Sequence, residues 1–206
     1  VVRNLVTDPY SVSLTTDSAR SWIGSLDAAA TQPAGWSAQT VPATVAHPTD
    51  MVVYELHVRD FSANDASVSA ANRGKYLAFT ESTSNGMKHL LALAGAGLTD
   101  VHLMPVFDIA TVPEAGCTTP SPSGSASSET QQAAVGATKD SDCFNWGYDP
   151  YHFNAPEGSY ASDAADGARR VLEFRQMVQS LHASGLRVGM DVVYNHTTAS
   201  GQKAKS

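Results

Sequence analysis

Three stretches of mostly apolar residues, each running into polar ones, set the frame of this chain. Met51-Val-Val-Tyr-Glu-Leu-His-Val58 is β-branched and bounded by Asp50 and Asp60, which predicts a strand. Leu98-Thr-Asp-Val-His-Leu-Met-Pro-Val106 predicts a second, with Pro105 marking where pairing stops. Leu186-Arg-Val-Gly-Met-Asp-Val-Val-Tyr194 predicts a third, nearly continuous in its apolar character, as in a parallel sheet covered on both faces. Between the first two, Met87, Leu90, Leu91 and Ala94 fall at i, i+3, i+4 and i+7, the stripe of an amphipathic helix. Ser84 or Asn85 can cap its start, and Gly95 or Gly97 can end it. Val171, Phe174, Val178 and Leu181 mark a second helix, opened by Asp163 with Asp166 in an acidic first turn and stopped at Gly185.

The remaining stretches are weaker. Residues 1–30 alternate loosely, most clearly at Tyr10-Ser-Val12-Ser-Leu14, and read as the tail of a β-rich module. Residues 31–50, with Pro33, Pro42 and Pro48, lack periodicity and read as a linker. A long loop spans about residues 107–162, and its Ser/Gly/Ala/Thr-rich middle, Thr118 to Ala137, is expected to be the least ordered part. The order strand, helix, strand, long loop, helix, strand implies an α/β fold with parallel strands and right-handed crossovers. A doubly wound sheet and a β/α barrel both satisfy it. No Gly-rich phosphate loop follows any strand, which counts against a nucleotide fold. Polar residues gather just past the strand ends, at His57–Asp60, Pro105–Asp108 and Asp191–His196, where functional groups lie in β/α barrels.

Composition narrows the partners. The net charge of −7, without any Lys/Arg-rich cluster, argues against a nucleic-acid surface. No apolar run approaches the roughly 20 residues of a membrane span. Only 16% of residues are charged, a balance that fits an exported protein better than a cytosolic one. Cys117 and Cys143 flank the low-complexity loop. A disulfide closing it, typically contributing about 2–4 kcal/mol, is favoured over two free buried thiols.

One run concentrates the chemistry: Phe144-Asn-Trp-Gly-Tyr-Asp-Pro-Tyr-His-Phe153 places five aromatic rings, a carboxylate, an amide and an imidazole in ten positions. It reads as an ordered loop. Flat rings beside a few polar groups suit a ligand with apolar faces and hydroxyl edges, such as a sugar. A buried aromatic cluster pinning a long loop would use the same residues.

Four segments in order carry a resemblance. They are Tyr54-Glu-Leu-His-Val-Arg-Asp60, Gly97-Leu-Thr-Asp-Val-His-Leu-Met-Pro-Val106, Asn145-Trp-Gly-Tyr-Asp-Pro150 with Pro156-Glu-Gly-Ser-Tyr160, and Asp191-Val-Val-Tyr-Asn-His196. Together they resemble the starch-debranching branch of the α-amylase superfamily, glycoside hydrolase family 13, on the side of the bacterial type I pullulanases and plant limit dextrinases. The chain departs at Phe144, where that branch usually has Tyr. The likeness covers about residues 50–201, and more loosely residues 1–35.

The resemblance implies that residues 51–206 begin a (β/α)8 TIM barrel, with about three strands and two main helices, and that residues 1–30 end a β-sandwich, carbohydrate-binding-like module. It implies hydrolysis of α-1,6-glucosidic linkages in pullulan, amylopectin and limit dextrins with retention of configuration. Tyr148 then stacks on a glucose ring beside the scissile bond and His196 donates to a hydroxyl of that sugar. Asp149 is a sugar-binding or supporting carboxylate, Trp146 shapes the pocket, and Asp191 and Asn195 orient their neighbours. His57, His89, His102, His152 and His182 are read as structural or surface residues. No cofactor is required, though calcium is a candidate ligand, and the partners are a branched α-glucan and the remainder of the same enzyme.

Retaining glycosidases need two carboxyl groups about 5 Å apart. In this family the nucleophilic Asp, the acid/base Glu and a stabilising Asp follow the fourth, fifth and seventh barrel strands, so all three are expected beyond residue 206. A closed barrel also needs eight strands and about 250 residues. The chain is therefore expected to be an inactive segment of a secreted or cell-surface enzyme. The alternatives are a non-catalytic α-glucan-binding fragment and an α-1,4-acting amylase relative.

Overall fold

The computed structural model describes residues 6–203 and 205. In chain order its elements are β1 (Val53–Leu56), α1 (Asn85–Gly95), β2 (Asp100–Leu103), β3 (Phe107–Ile109), α2 (Glu129–Thr138), β4 (Pro150–Pro156), α3 (Gly167–Ala183) and β5 (Arg187–Met190), with short 3-10 turns between them. β1, β2 and β5 form a parallel sheet in the order β1-β2-β5. Each is shorter than the apolar run that predicts it. The register sets Tyr54, Val101 and Val188 side by side, and Leu56, Leu103 and Met190 one step on. With a side-chain period of two, these six share one face.

That face carries the core. Leu56, Val101 and Leu103 pack with Met87 and Leu90 of α1, Met177 and Leu181 of α3, and Tyr76 and Phe79 from the turn at Tyr76–Thr80. Both helices form where predicted, but Leu91 of the α1 stripe is exposed while Leu93 packs on the core, and in α3 Met177 is buried in the core rather than Val178. Ser84 caps α1, its hydroxyl accepting from Met87 N at 3.3 Å. Asp166 caps α3, accepting from Ala168 N and Arg169 N at 3.0 and 3.2 Å, while Asp163 turns back to Ala165 N. The opposite face differs from the expectation of a sheet covered on both sides. It carries Val53, Glu55, His102 and Gly189, and Val53 and Glu55 lie exposed. The helices cover one side of the strands only.

Two further expectations are corrected, at Tyr10–Leu14 and in the low-complexity segment. Tyr10–Leu14 forms no strand; a single antiparallel bridge joins Leu14 to Ser21. Its alternate polar groups are spent on the body of the molecule instead. Ser13 Oγ donates to Gly167 O at 2.8 Å, and Trp22 lies so close to Gly167 that a Cβ there would meet the indole Cβ at 2.5 Å. Residues 31–50 do not run free. Arg175 donates to Leu26 O and Thr31 O, its guanidinium lies 5.3 Å from the Trp36 ring, Gln179 donates to Ala34 O and His182 Nδ1 lies 3.0 Å from Gln39 Oε1, so α3 holds residues 31–39. The low-complexity segment holds α2, a helix without a single buried side chain.

The long loop also contains a second sheet, β3 paired antiparallel with β4 through two register shifts. The aromatic run is thus half turn and half strand, with Pro150 to Phe153 in β4. Behind this ribbon lies a buried ionic network. The Arg170 guanidinium, fully buried, donates to both Glu114 oxygens at 2.7 and 2.5 Å and to Ala164 O. Asp108 accepts from Ser18 Oγ and pairs with His152 Nδ1 at 2.6 Å. Glu157 accepts from Ile109 N and Ser159 N, each at 2.7 Å. Gly158 is required here, because a Cβ would come within 2.4 Å of Arg170 Cζ.

These pairings predict how stability follows pH. Burial, with the neighbouring Glu114 and Asp108 charges, raises the Glu157 pKa to about 8, against the two N–H donors that favour its charged form. A raised folded-state value means a contribution fully present below the unfolded pKa and lost as pH rises through about 8. Asp100 behaves oppositely. Burial works against its charge, but hydrogen bonds from Arg187 and Thr99 prevail and hold its pKa below the ordinary value, so its contribution is lost in acid. The thermal midpoint of the intact protein is expected to peak near the ordinary carboxylate range and to fall from about pH 5 to 8. A midpoint that climbs steadily over that range would remove Glu157 from this role.

Candidate functional site

Asn145-Trp-Gly-Tyr148 is a turn set between two fixed points. At its start Cys143 is bonded to Cys117. Within it, Asn145 Oδ1 accepts from Gly147 N at 2.8 Å, and Asn145 Nδ2 donates to Thr111 Oγ1 at 2.7 Å. Gly147 has φ +92°, and a Cβ there would meet Pro105 Cβ at 2.7 Å, so only glycine lets the turn lie against the end of the β2 segment. The turn projects two rings outward: Trp146 is 59% exposed and Tyr148 41%. Phe144 points the other way, its ring 5.3 Å from His57, 5.4 Å from Trp146 and 5.8 Å from the Arg59 guanidinium.

The residues after β5 reach this turn. Tyr148 OH donates to Asp191 Oδ2 at 2.7 Å, and that bond, with burial and the Asp191 charge, pushes the phenol pKa up to about 12. His196 Nε2 donates to Tyr148 O at 2.8 Å, while its Nδ1 lies 3.1 Å from Asn195 Oδ1. Of the residues singled out from sequence, Tyr148, Asp191, Asn195 and His196 therefore meet in one place. Asp149 hydrogen-bonds to Thr111 rather than to any of them. Its Oδ2 accepts from Thr111 Oγ1, its Oδ1 is buried without a partner, and burial raises its pKa. Trp146 makes its described ring contact with Phe144, which lies outside that group.

Sequence reasoning missed Thr111, which links Asn145 to Asp149 from the loop after β3, and it set His57 among the structural histidines. Thr111 carries no local signal. For His57 the signal is its place immediately after β1, within the polar cluster at a strand end. An exposed ring braced by a carboxylate, on a backbone held by an imidazole, can stack on an apolar ligand face while nearby polar groups meet its edges.

Asp108, Glu114 and Glu157 are the one group among the described residues with the spacing of a metal site, their nearest oxygens lying within 4.8 Å of one another. They do not fit calcium. That ion takes six to eight oxygen ligands, and here the carboxylates already accept from Arg170, Ser18, His152 and backbone N–H groups, with the guanidinium supplying the cation.

No family model matches the chain. Individual proteins do. Pullulanase 1, chloroplastic, of Arabidopsis thaliana is 43% identical over 206 residues, a match covering 96% of this chain and 21% of that protein. The crystal structure of PulA from Klebsiella oxytoca superposes with a TM-score of 0.88 at 38% identity, covering 98% of this chain and 23% of the other. Pullulanase of Klebsiella pneumoniae complexed with maltotriose gives a TM-score of 0.85 at 37% identity, covering 96% and 23%. These relatives place the chain among the glycoside hydrolases. It belongs to the pullulanase branch of glycoside hydrolase family 13, and it spans about a fifth of the length of the pullulanases it matches. No helix among the described residues is long and apolar enough to cross a membrane.

Proposed function

We propose that this chain forms part of the glucan-binding cleft of a starch-debranching hydrolase that cleaves α-1,6 linkages in pullulan, amylopectin and limit dextrins with retention. The observation that carries the reading is Tyr148, its ring exposed yet fixed through the phenol by Asp191 and its backbone carbonyl held by His196. The likeness to a pullulanase complexed with maltotriose supports an oligoglucoside as the occupant. Tyr148 is the stacking platform, Trp146 borders the cleft, and His196 donates to a hydroxyl of the same sugar by exchanging its bond to Tyr148 O. Asp191 and Asn195 orient these groups, and the unpartnered oxygen of Asp149 is free to accept from a further donor.

In the same reading β1, β2 and β5 are the first three strands of a (β/α)8 barrel, and residues 1–30, of which 1–5 lie outside the described residues, end a preceding β-sandwich module. The outer edges of β1 and β5 are unpaired among the described residues. Beside β5 lies an apolar groove of about 440 Å³, lined by Phe107, Phe153, Phe174, Met190, Val192 and Tyr194. Both features support later barrel elements packing there. The nucleophile, the acid/base and the stabilising Asp then come from those elements, and this chain alone does not turn over substrate. The Cys117–Cys143 disulfide supports a protein outside the reducing cytosol, extracellular or at the cell surface. The test is release of maltotriose from pullulan by the full-length enzyme. Activity on linear amylose without that release would assign it to the α-1,4-acting amylases instead.

A further inference from the structure

We propose that His57 is a positioning residue for the glucan cleft: one imidazole, set just past the end of β1, fixes the base of the turn that carries Trp146 and Tyr148. The inference rests on the glucan-binding reading above. His57 is buried, with only 7% of its surface exposed, so it does not itself meet a ligand. Its tautomer follows from its partners. Nδ1 accepts from Asp60 N at 3.4 Å, which leaves the proton on Nε2, and Nε2 donates to Asn145 O at 2.7 Å. Tyr160 OH lies 3.2 Å from the same nitrogen, and its ring stands edge-on to His57 at 5.8 Å. The flat of the imidazole also packs on Phe144 at 5.3 Å.

His57 thus grips two consecutive residues, Phe144 by its ring and Asn145 by its backbone carbonyl. The Asn145 side chain then builds the turn by accepting from Gly147 N. Tyr148, three residues beyond the grip, is met from the far side by Asp191 and His196. The stacking ring is therefore clamped between the ends of β1 and β5, the two outer strands of the parallel sheet. Losing one clamp lets the turn shift without removing any group that touches the sugar. Displacements of about 1 Å at a positioned site can cost up to about 100-fold in rate.

The test compares substitutions in the full-length enzyme. His57→Gln keeps a side-chain N–H within reach of Asn145 O, whereas His57→Phe keeps a packed ring but no donor. We expect His57→Phe to raise KM by about tenfold, the effect of one lost hydrogen bond, and His57→Gln to stay within about threefold of wild type. If His57→Phe does not fold, His57→Asn, an amide one carbon too short, replaces it in the same comparison. An unchanged KM in the donor-less variant would overturn the proposal. So would equal rises in both variants that track their melting temperatures, which is what a merely structural histidine would give. Wild-type release of maltotriose from pullulan reports on the glucan reading itself. The ratios of variant to wild type, taken on whichever α-glucan the wild type hydrolyses, report on His57.

Discussion

Tyr148→Ala in the full-length enzyme is expected to lower kcat/KM on pullulan by about 100-fold, and Tyr148→Phe by less than about tenfold. The alanine variant removes the ring. The phenylalanine variant keeps it and loses only the hydrogen bond to Asp191 Oδ2, worth about 1–3 kcal/mol because its acceptor is charged and about 1 at an exposed site. With its pKa pushed up to about 12, the phenol stays protonated through any ordinary assay range and adds no pH dependence of its own. Steady-state kinetics on pullulan decide the matter. Equal losses in the two variants would shift the role from the ring to the hydroxyl, and with it from stacking to bracing Asp191.

The second large effect is on stability. Arg170→Met, similar in length but uncharged, is expected to destabilise the protein by about 3–5 kcal/mol, read from the urea midpoint of the intact protein. The cost arises from what remains behind. Glu114 loses both guanidinium bonds, Ala164 O loses its donor, and Asp108 loses the cation 3.9 Å away, all within a buried region. Glu114 would still accept from Asp17 N and Gly158 N, so it cannot simply be rendered apolar in compensation. A loss under about 1 kcal/mol would mean that the network protonates freely and that packing alone holds β3 and β4 to α3.

The parallel sheet and its two helices were legible because their signals are local. Met87, Leu90, Leu91 and Ala94 state a helix by spacing alone, although Leu91 ends up exposed, and Ser84 states its start. The same rules fail at Tyr10–Leu14, where an alternating pattern serves polar anchoring to Gly167 and pairs with residues 20–22 through a single bridge. They fail again at Thr118–Ala137, whose composition suggests disorder although Glu129–Thr138 is helical, because Ala, Gln and Glu favour helix whether or not a core needs one. The site was legible in part. Tyr148, Asp191 and His196 were found through motif and strand-end placement. The contacts of His57 and Thr111 with a turn some 88 and 34 residues away are fixed only by tertiary folding, and no spacing rule reaches that far.

The Cys117–Cys143 bond has a consequence for how this region can be cut and lengthened. It bridges a separation of 26 residues in which α2 buries no side chain. A proteolytic nick anywhere between the two cysteines would sever the main chain yet leave one covalent molecule, with β3 and β4 still paired and the aromatic turn still anchored at Cys143. For the same reason, residues could be added to or removed from the fenced excursion at little expense in chain entropy, since doubling a loop costs only about 0.6 kcal/mol. The excursion is thus insulated. Its length can drift over evolutionary time while the wall beside it keeps its shape.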